Sequence, residues 1–143
     1  MLEITPSQQS QLDHIGRAYE VKLILLHGSY AANTQRVGSD FDIAVLERKP
    51  MDHKVFLEFS ADMAKVFGNG PERELDIKTL RHADPLFLYH VAKKCQLLYG
   101  DLHTFSDFRA HAFVLYMDSK DLRNLEGILV AKYQKTLNQK YAR

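Results

Sequence analysis

The stretch HGSYAANTQRVGSDFDIAVL, residues 27–46, brings together residue types suited to phosphate chemistry. Side chains alternate between the faces of a strand, so Asp40 and Asp42 share one face while Phe41, Ile43 and Val45 point to the other. Two neighbouring carboxylates repel, and each raises the other's pKa unless a cation sits between them. Magnesium suits that place, because it prefers oxygen ligands and is typically held by one or two carboxylates together with substrate phosphates. Gly28 and Ser29 follow the apolar run Leu23–Leu26, where a strand passing into a short helix presents N–H groups and a hydroxyl to an anion. Glycine lets a phosphate approach the main chain closely. The pair would hold the distal phosphates of a nucleoside triphosphate, with Asp40 and Asp42 holding metal beside the phosphorus under attack.

A two-metal displacement needs one more carboxylate, to bind the second ion and to accept or orient the nucleophile's proton. Asp76, between Leu75 and Ile77, is the candidate, provided that its strand neighbours the first. Glu74 has the same parity and is the second choice. A P-loop is excluded, since GSYAANT lacks the lysine-hydroxyl pair that would follow the glycines. His82, His90, His103 and His111 lack the short spacings of zinc ligands and are read as surface or packing residues. His27 alone stands near the chemistry, in a structural role with a minor one beside the phosphate.

The elements that must position these groups can be read from periodicity and caps. Thr5-Pro6-Ser7-Gln8 is a capping-box start for a helix that buries Leu12, Ile15 and Tyr19. Val21 to Leu26 suits a strand covered on both faces. A short helical turn is expected over 29–35, a strand over Asp40 to Leu46, and a turn with a helix cap at Lys49-Pro50-Met51-Asp52. The next helix turns Val55, Phe56, Phe59, Met63 and Phe67 inward. Gly68-Asn69-Gly70-Pro71 breaks the chain before a third strand, Glu74 to Thr79. Asp84-Pro85 starts a helix to about Lys94, before the apolar segment Leu97 to Tyr99 and a Gly100-Asp101 turn. From Phe105 to Tyr133 apolar residues recur at helical spacing, with Ser119 in a gap and Gly127 as the weak point. That stripe is read mainly as packing on the domain, with Leu125 to Tyr133 the part placed to dock a helical partner.

This order gives an α/β fold, a small mixed sheet covered by helices with a helical C-terminal third. The 143 residues, 45% hydrophobic and 26% charged, fit a single domain over 1–143, with a core at about 5–100 and a C-terminal helical region at about 104–140. A net charge of +1 lacks the basic excess of proteins that hold nucleic acid by its phosphates, so no direct nucleic-acid partner is expected. The lone Cys95 rules out an internal disulfide, and MLEITPSQQSQLDH has neither a basic leader nor an apolar signal core. A cytoplasmic protein is expected, and no apolar run approaches the roughly 20 residues that cross a bilayer.

Gly28-Ser29, ten intervening residues, Asp40-Phe41-Asp42 and the later Leu75-Asp76-Ile77 resemble the signature of the DNA polymerase beta-like nucleotidyltransferase superfamily. In size the chain resembles the minimal nucleotidyltransferases (MNT), antitoxins encoded beside HEPN-domain toxins. The resemblance runs through Asp84-Pro85-Leu86-Phe87 and Leu97-Leu98-Tyr99-Gly100 into the C-terminal helix. It implies a palm-like fold and an Mg2+-dependent transfer of AMP from ATP to a tyrosine hydroxyl of a cognate HEPN ribonuclease, with release of pyrophosphate. By position Asp40, Asp42 and Asp76 would be the catalytic metal ligands for two magnesium ions, and Gly28 and Ser29 would hold the triphosphate. Arg36 falls where related chains place a basic residue that can steady a phosphate, whereas Ala32 and Asn33 replace an Arg-Gly common in the family. The implied partner is a HEPN toxin in a hetero-oligomer. Two alternatives stand beside this reading: a non-enzymatic antitoxin that masks its toxin sterically, and a nucleotidyltransferase acting on a small molecule or RNA.

Overall fold

The computed structural model describes residues 1–36, 38–68 and 74–142. Its elements, in chain order, are α1 (Pro6–Ala18), β1 (Val21–His27), β2 (Phe41–Glu47), α2 (His53–Phe67), β3 (Leu75–Thr79), α3 (Pro85–Lys93), β4 (Gln96–Tyr99), α4 (Leu102–Asp118) and α5 (Lys120–Tyr141). The strands form one sheet in the order β3-β2-β1-β4. β1 runs antiparallel to both β2 and β4, while β2 and β3 are parallel, so the sheet is mixed as expected.

Local sequence explains most boundaries. Thr5 and Gln8 form a reciprocal capping box at 3.1 and 3.0 Å that satisfies otherwise orphaned N–H groups of the first turn. Gln8 then donates from Nε2 to the carbonyl of Val66, tying α1 to α2. Asp52, Asp84 and Asp101 cap α2, α3 and α4 through their carboxylates. The turn over Gly28 to Asn33 replaces the expected helical turn. Ala32 N–H bonds the Gly28 carbonyl and Thr34 N–H bonds that of Ser29, but Asn33 takes a left-handed φ of 55° that stops a regular helix. Of the expected Gly68-Asn69-Gly70-Pro71 break, only Gly68 is within the described residues.

The sheet is covered on both faces, which explains why β1 reads as continuously apolar. Ile24, Leu26, Ile43 and Val45 pack with Leu12 and Ile15 of α1 and Phe59 and Met63 of α2. On the other face Leu23, Leu25 and Ala44 pack with Leu88 and Val91 of α3 and Phe108 and Ala112 of α4. This second face, carried by odd positions of β1 and even positions of β2 and β3, is the one that leads to the carboxylates.

The C-terminal third departs from expectation. Its break falls at Ser119, and Gly127 lies inside α5. Arg123 reaches back across the junction, donating to the Ser119 hydroxyl and to the Tyr116 carbonyl while its guanidinium lies 4.0 Å from the Tyr116 ring. Nor does the apolar stripe pack on the domain as a whole: Phe108 and Ala112 are buried, but α5 buries no residue. Leu122, Leu125, Ile128, Leu129, Val130 and Tyr133 are all more than half exposed.

Candidate active site

Strand register builds the site. His27 ends β1 opposite Asp42 in the antiparallel pair, and Asp42 stands opposite Asp76 in the parallel pair. His27, Asp42 and Asp76 therefore form a lateral row across three strands, at one end of the face covered by α3 and α4. The condition on which Asp76 depended, a neighbouring strand in matching register, is met. Asp40 lies immediately before β2 rather than within it, and its Oδ1 accepts from the Glu74 N–H at 3.1 Å. Phe41 N–H in turn bonds the Glu74 carbonyl. Glu74 thus serves through its backbone to set where β3 begins.

Gly28 follows the row directly, with a φ of +74° that L side chains rarely adopt. A Cβ built there would lie 2.2 Å from Oδ2 of Asp42. The glycine is thus required twice, for the left-handed bend and for the carboxylate pressed against it. Ser29 sits within the same turn, half-buried, its carbonyl held by the Thr34 N–H. Arg36 is exposed in the loop leading to Asp40, where its N–H bonds the Ser39 hydroxyl at 2.7 Å.

Electrostatics single out Asp42. Burial raises its pKa above the usual carboxylate value, Asp76 and Asp40 push the same way, and His27 and Lys78 oppose them. His27 is shifted down, chiefly by burial, and its Nε2 is buried with no hydrogen-bond partner among the described residues. Its ring meets Phe87 of α3 edge-on at 5.7 Å. Lys78, which sequence reasoning passed over, belongs to the site with its Nζ 3.3 Å from Asp76 Oδ2, and His27, expected there in a structural role with a minor one beside the phosphate, stands in the row itself. Strand parity with Leu25 and with Asp76 was the signal that could have placed both.

An all-oxygen set of Asp40, Asp42 and Asp76 is the chemistry that a hard divalent cation requires. The ammonium of Lys78 already stands as a cation on one of these carboxylates. Among the described residues no three carboxylate, imidazole or thiol groups close on a common point. Asp76 is turned to Lys78, and Oδ1 of Asp40 accepts from the Glu74 N–H. A cavity of about 590 Å³ lies elsewhere, at the opposite end of the same sheet face and lined by Lys22, Arg48, Arg81 and His111 among others.

Comparison with known proteins bears on the fold that carries this site. Residues 10–103 match the family described as polymerase beta, nucleotidyltransferase, a span that includes the whole sheet and every residue of the row. No curated protein matches the chain. Among solved structures, one of a toxin-antitoxin with AMP-PNP is 24% identical with a TM-score of 0.71, covering 86% of this chain and 98% of that one. A tri-AMPylated Shewanella oneidensis HEPN toxin in complex with MNT antitoxin gives 21% identity and a TM-score of 0.66, over 87% of this chain and 97% of that one. The MntA-HepT toxin-antitoxin gives 20% identity and a TM-score of 0.67, over 89% and 99% respectively. At such identities the likeness is one of fold. The match over the sheet, joined to a glycine-serine turn that abuts a carboxylate row, carries the conclusion: this chain belongs to the polymerase beta-type nucleotidyltransferase family.

Proposed function

We propose that the protein is an antitoxin that transfers AMP from ATP to a tyrosine hydroxyl of a cognate HEPN ribonuclease, neutralising it. The observation that carries this reading is the pairing of Asp42 with Asp76 beside the Gly28-Ser29 turn, in a fold shared with structures of toxin-antitoxin complexes. Asp40 and Asp42 would hold magnesium, which would neutralise the charge of the nucleotide's phosphates. Gly28 and Ser29 receive the distal phosphates through the turn's N–H groups and hydroxyl, and Arg36 steadies them from the loop. Asp76 takes the proton of the incoming hydroxyl. The tyrosine oxygen then bonds to the α-phosphorus, the bond to the β-phosphate oxygen breaks, and pyrophosphate leaves. With 47% of its side chain exposed, Asp76 can pass the proton on to water.

The uncovered apolar face of α5 favours a protein acceptor over a small molecule, and it also supports a second reading, neutralisation by steric masking. The two separate in one experiment. Purified chain is incubated with ATP labelled at the α-phosphate, magnesium and the HEPN protein encoded beside it, and both label transfer and residual ribonuclease activity are followed. Transfer is expected with the natural chain, and Asp42→Asn should lose both transfer and neutralisation. Neutralisation that survives Asp42→Asn would replace this reading with masking.

A further inference from the structure

Lys78 lies two residues beyond Asp76 on β3 and so projects from the same face, opposite Ala44 of β2. Alanine leaves room for a long side chain to lie over it, and the ammonium reaches back to 3.3 Å from Asp76 Oδ2. Phe87 stands against it, with Nζ 5.8 Å from the ring centroid, and the same ring meets His27 edge-on. The charge of Lys78 opposes the rise that burial gives the Asp42 pKa and adds to the fall that burial gives that of His27. As a structural device the pair would contribute little, because ion pairs as exposed as this one (56% and 47%) stabilise by only about 0–1 kcal/mol. Its placement is what matters: the cation rests on the carboxylate to which the transfer reading gives the incoming proton.

We propose that Lys78 is a built-in second cation of the site, a positioning residue that neutralises Asp76 and leaves Asp40 and Asp42 to hold a single divalent ion. This rests on the nucleotidyl-transfer reading above and replaces the second magnesium that the sequence led us to expect. It accounts for two observations together: the absence of a three-carboxylate cluster among the described residues, and the turning of Asp76 toward a lysine. The ammonium is tethered to β3 two residues from Asp76, so it is always at hand to compete with a hydrated ion for that carboxylate.

The test counts Mn2+ bound to the whole chain by equilibrium dialysis with a non-hydrolysable ATP analogue, read by electron paramagnetic resonance. The natural chain should hold about one ion per molecule and Lys78→Ala about two, with Lys78→Arg staying at about one because the charge is restored. About two ions in the natural chain, or no increase in Lys78→Ala, would overturn the inference while leaving the transfer reading intact. Failure of the natural chain to bind Mn2+ at all, with Asp42→Asn indistinguishable from it, would overturn both.

Discussion

Gly28 and Asp42 constrain each other. The glycine's φ of +74° and the 2.2 Å that would separate a Cβ from Asp42 Oδ2 leave no room for even a methyl group. Gly28→Ala should therefore destabilise the protein by about 1–3 kcal/mol and abolish AMP transfer, measured by thermal melting and label transfer on the same preparation. Asp42 works against folding in the absence of metal. Burial raises its pKa, so the folded state binds the proton more tightly than the unfolded state, and the carboxylate's charge costs stability wherever it is ionised. That cost is full above the raised folded pKa and vanishes below the usual value of 3.8, where both states are protonated. Asp42→Asn should accordingly melt higher than the natural chain near neutral pH in chelator, with the gain shrinking as pH falls. A lower melting temperature at neutral pH would show that the carboxylate is paired more strongly than its surroundings indicate.

At the scale of elements, α1 and α2 are joined by Tyr19, whose hydroxyl donates to Asp62 at 2.6 Å. The Asp62 pKa is lowered, first by this bond, and the Tyr19 pKa is pushed up to about 12, first by burial and then by the same bond. The contribution is therefore present from above 3.8 to below 10.0, the usual values of the two groups. It is lost as pH falls through the lowered pKa of Asp62 or rises toward that of Tyr19. Tyr19→Phe should cost about 1 kcal/mol at neutral pH, a difference that narrows at both extremes in melts run against pH. The sequence made much of this scaffold legible, because caps such as Thr5 and Asp84 and the alternation around Asp42 and Asp76 are local signals. What it could not supply was neighbourhood. The parallel pairing of β2 with β3, on which the row depends, is a tertiary fact, and so is the break at Ser119, which Arg123 secures from the following helix.

For the whole molecule, the decisive feature is a sheet buried on both faces that carries a long helix touching almost none of it. Periodicity gave α5 an apolar stripe, but a stripe does not say whether it faces its own domain or another chain. Exposed apolar residues on such a helix mark an interaction surface. Leu125→Glu should leave the unfolding free energy of the free chain within about 0.5 kcal/mol of the original, while weakening binding to the proposed HEPN partner at least about tenfold by calorimetry. Loss of stability instead would mean that α5 supports the domain. The central question is whether the row at Asp42 and Asp76 performs adenylyl transfer to a protein. Intact-mass and peptide mass spectrometry of the HEPN partner, after incubation with this chain, ATP and magnesium, tests that most directly. Addition of AMP to a tyrosine by the natural chain, and none by Asp42→Asn, is the predicted result. A partner of unchanged mass that is nevertheless neutralised would contradict it.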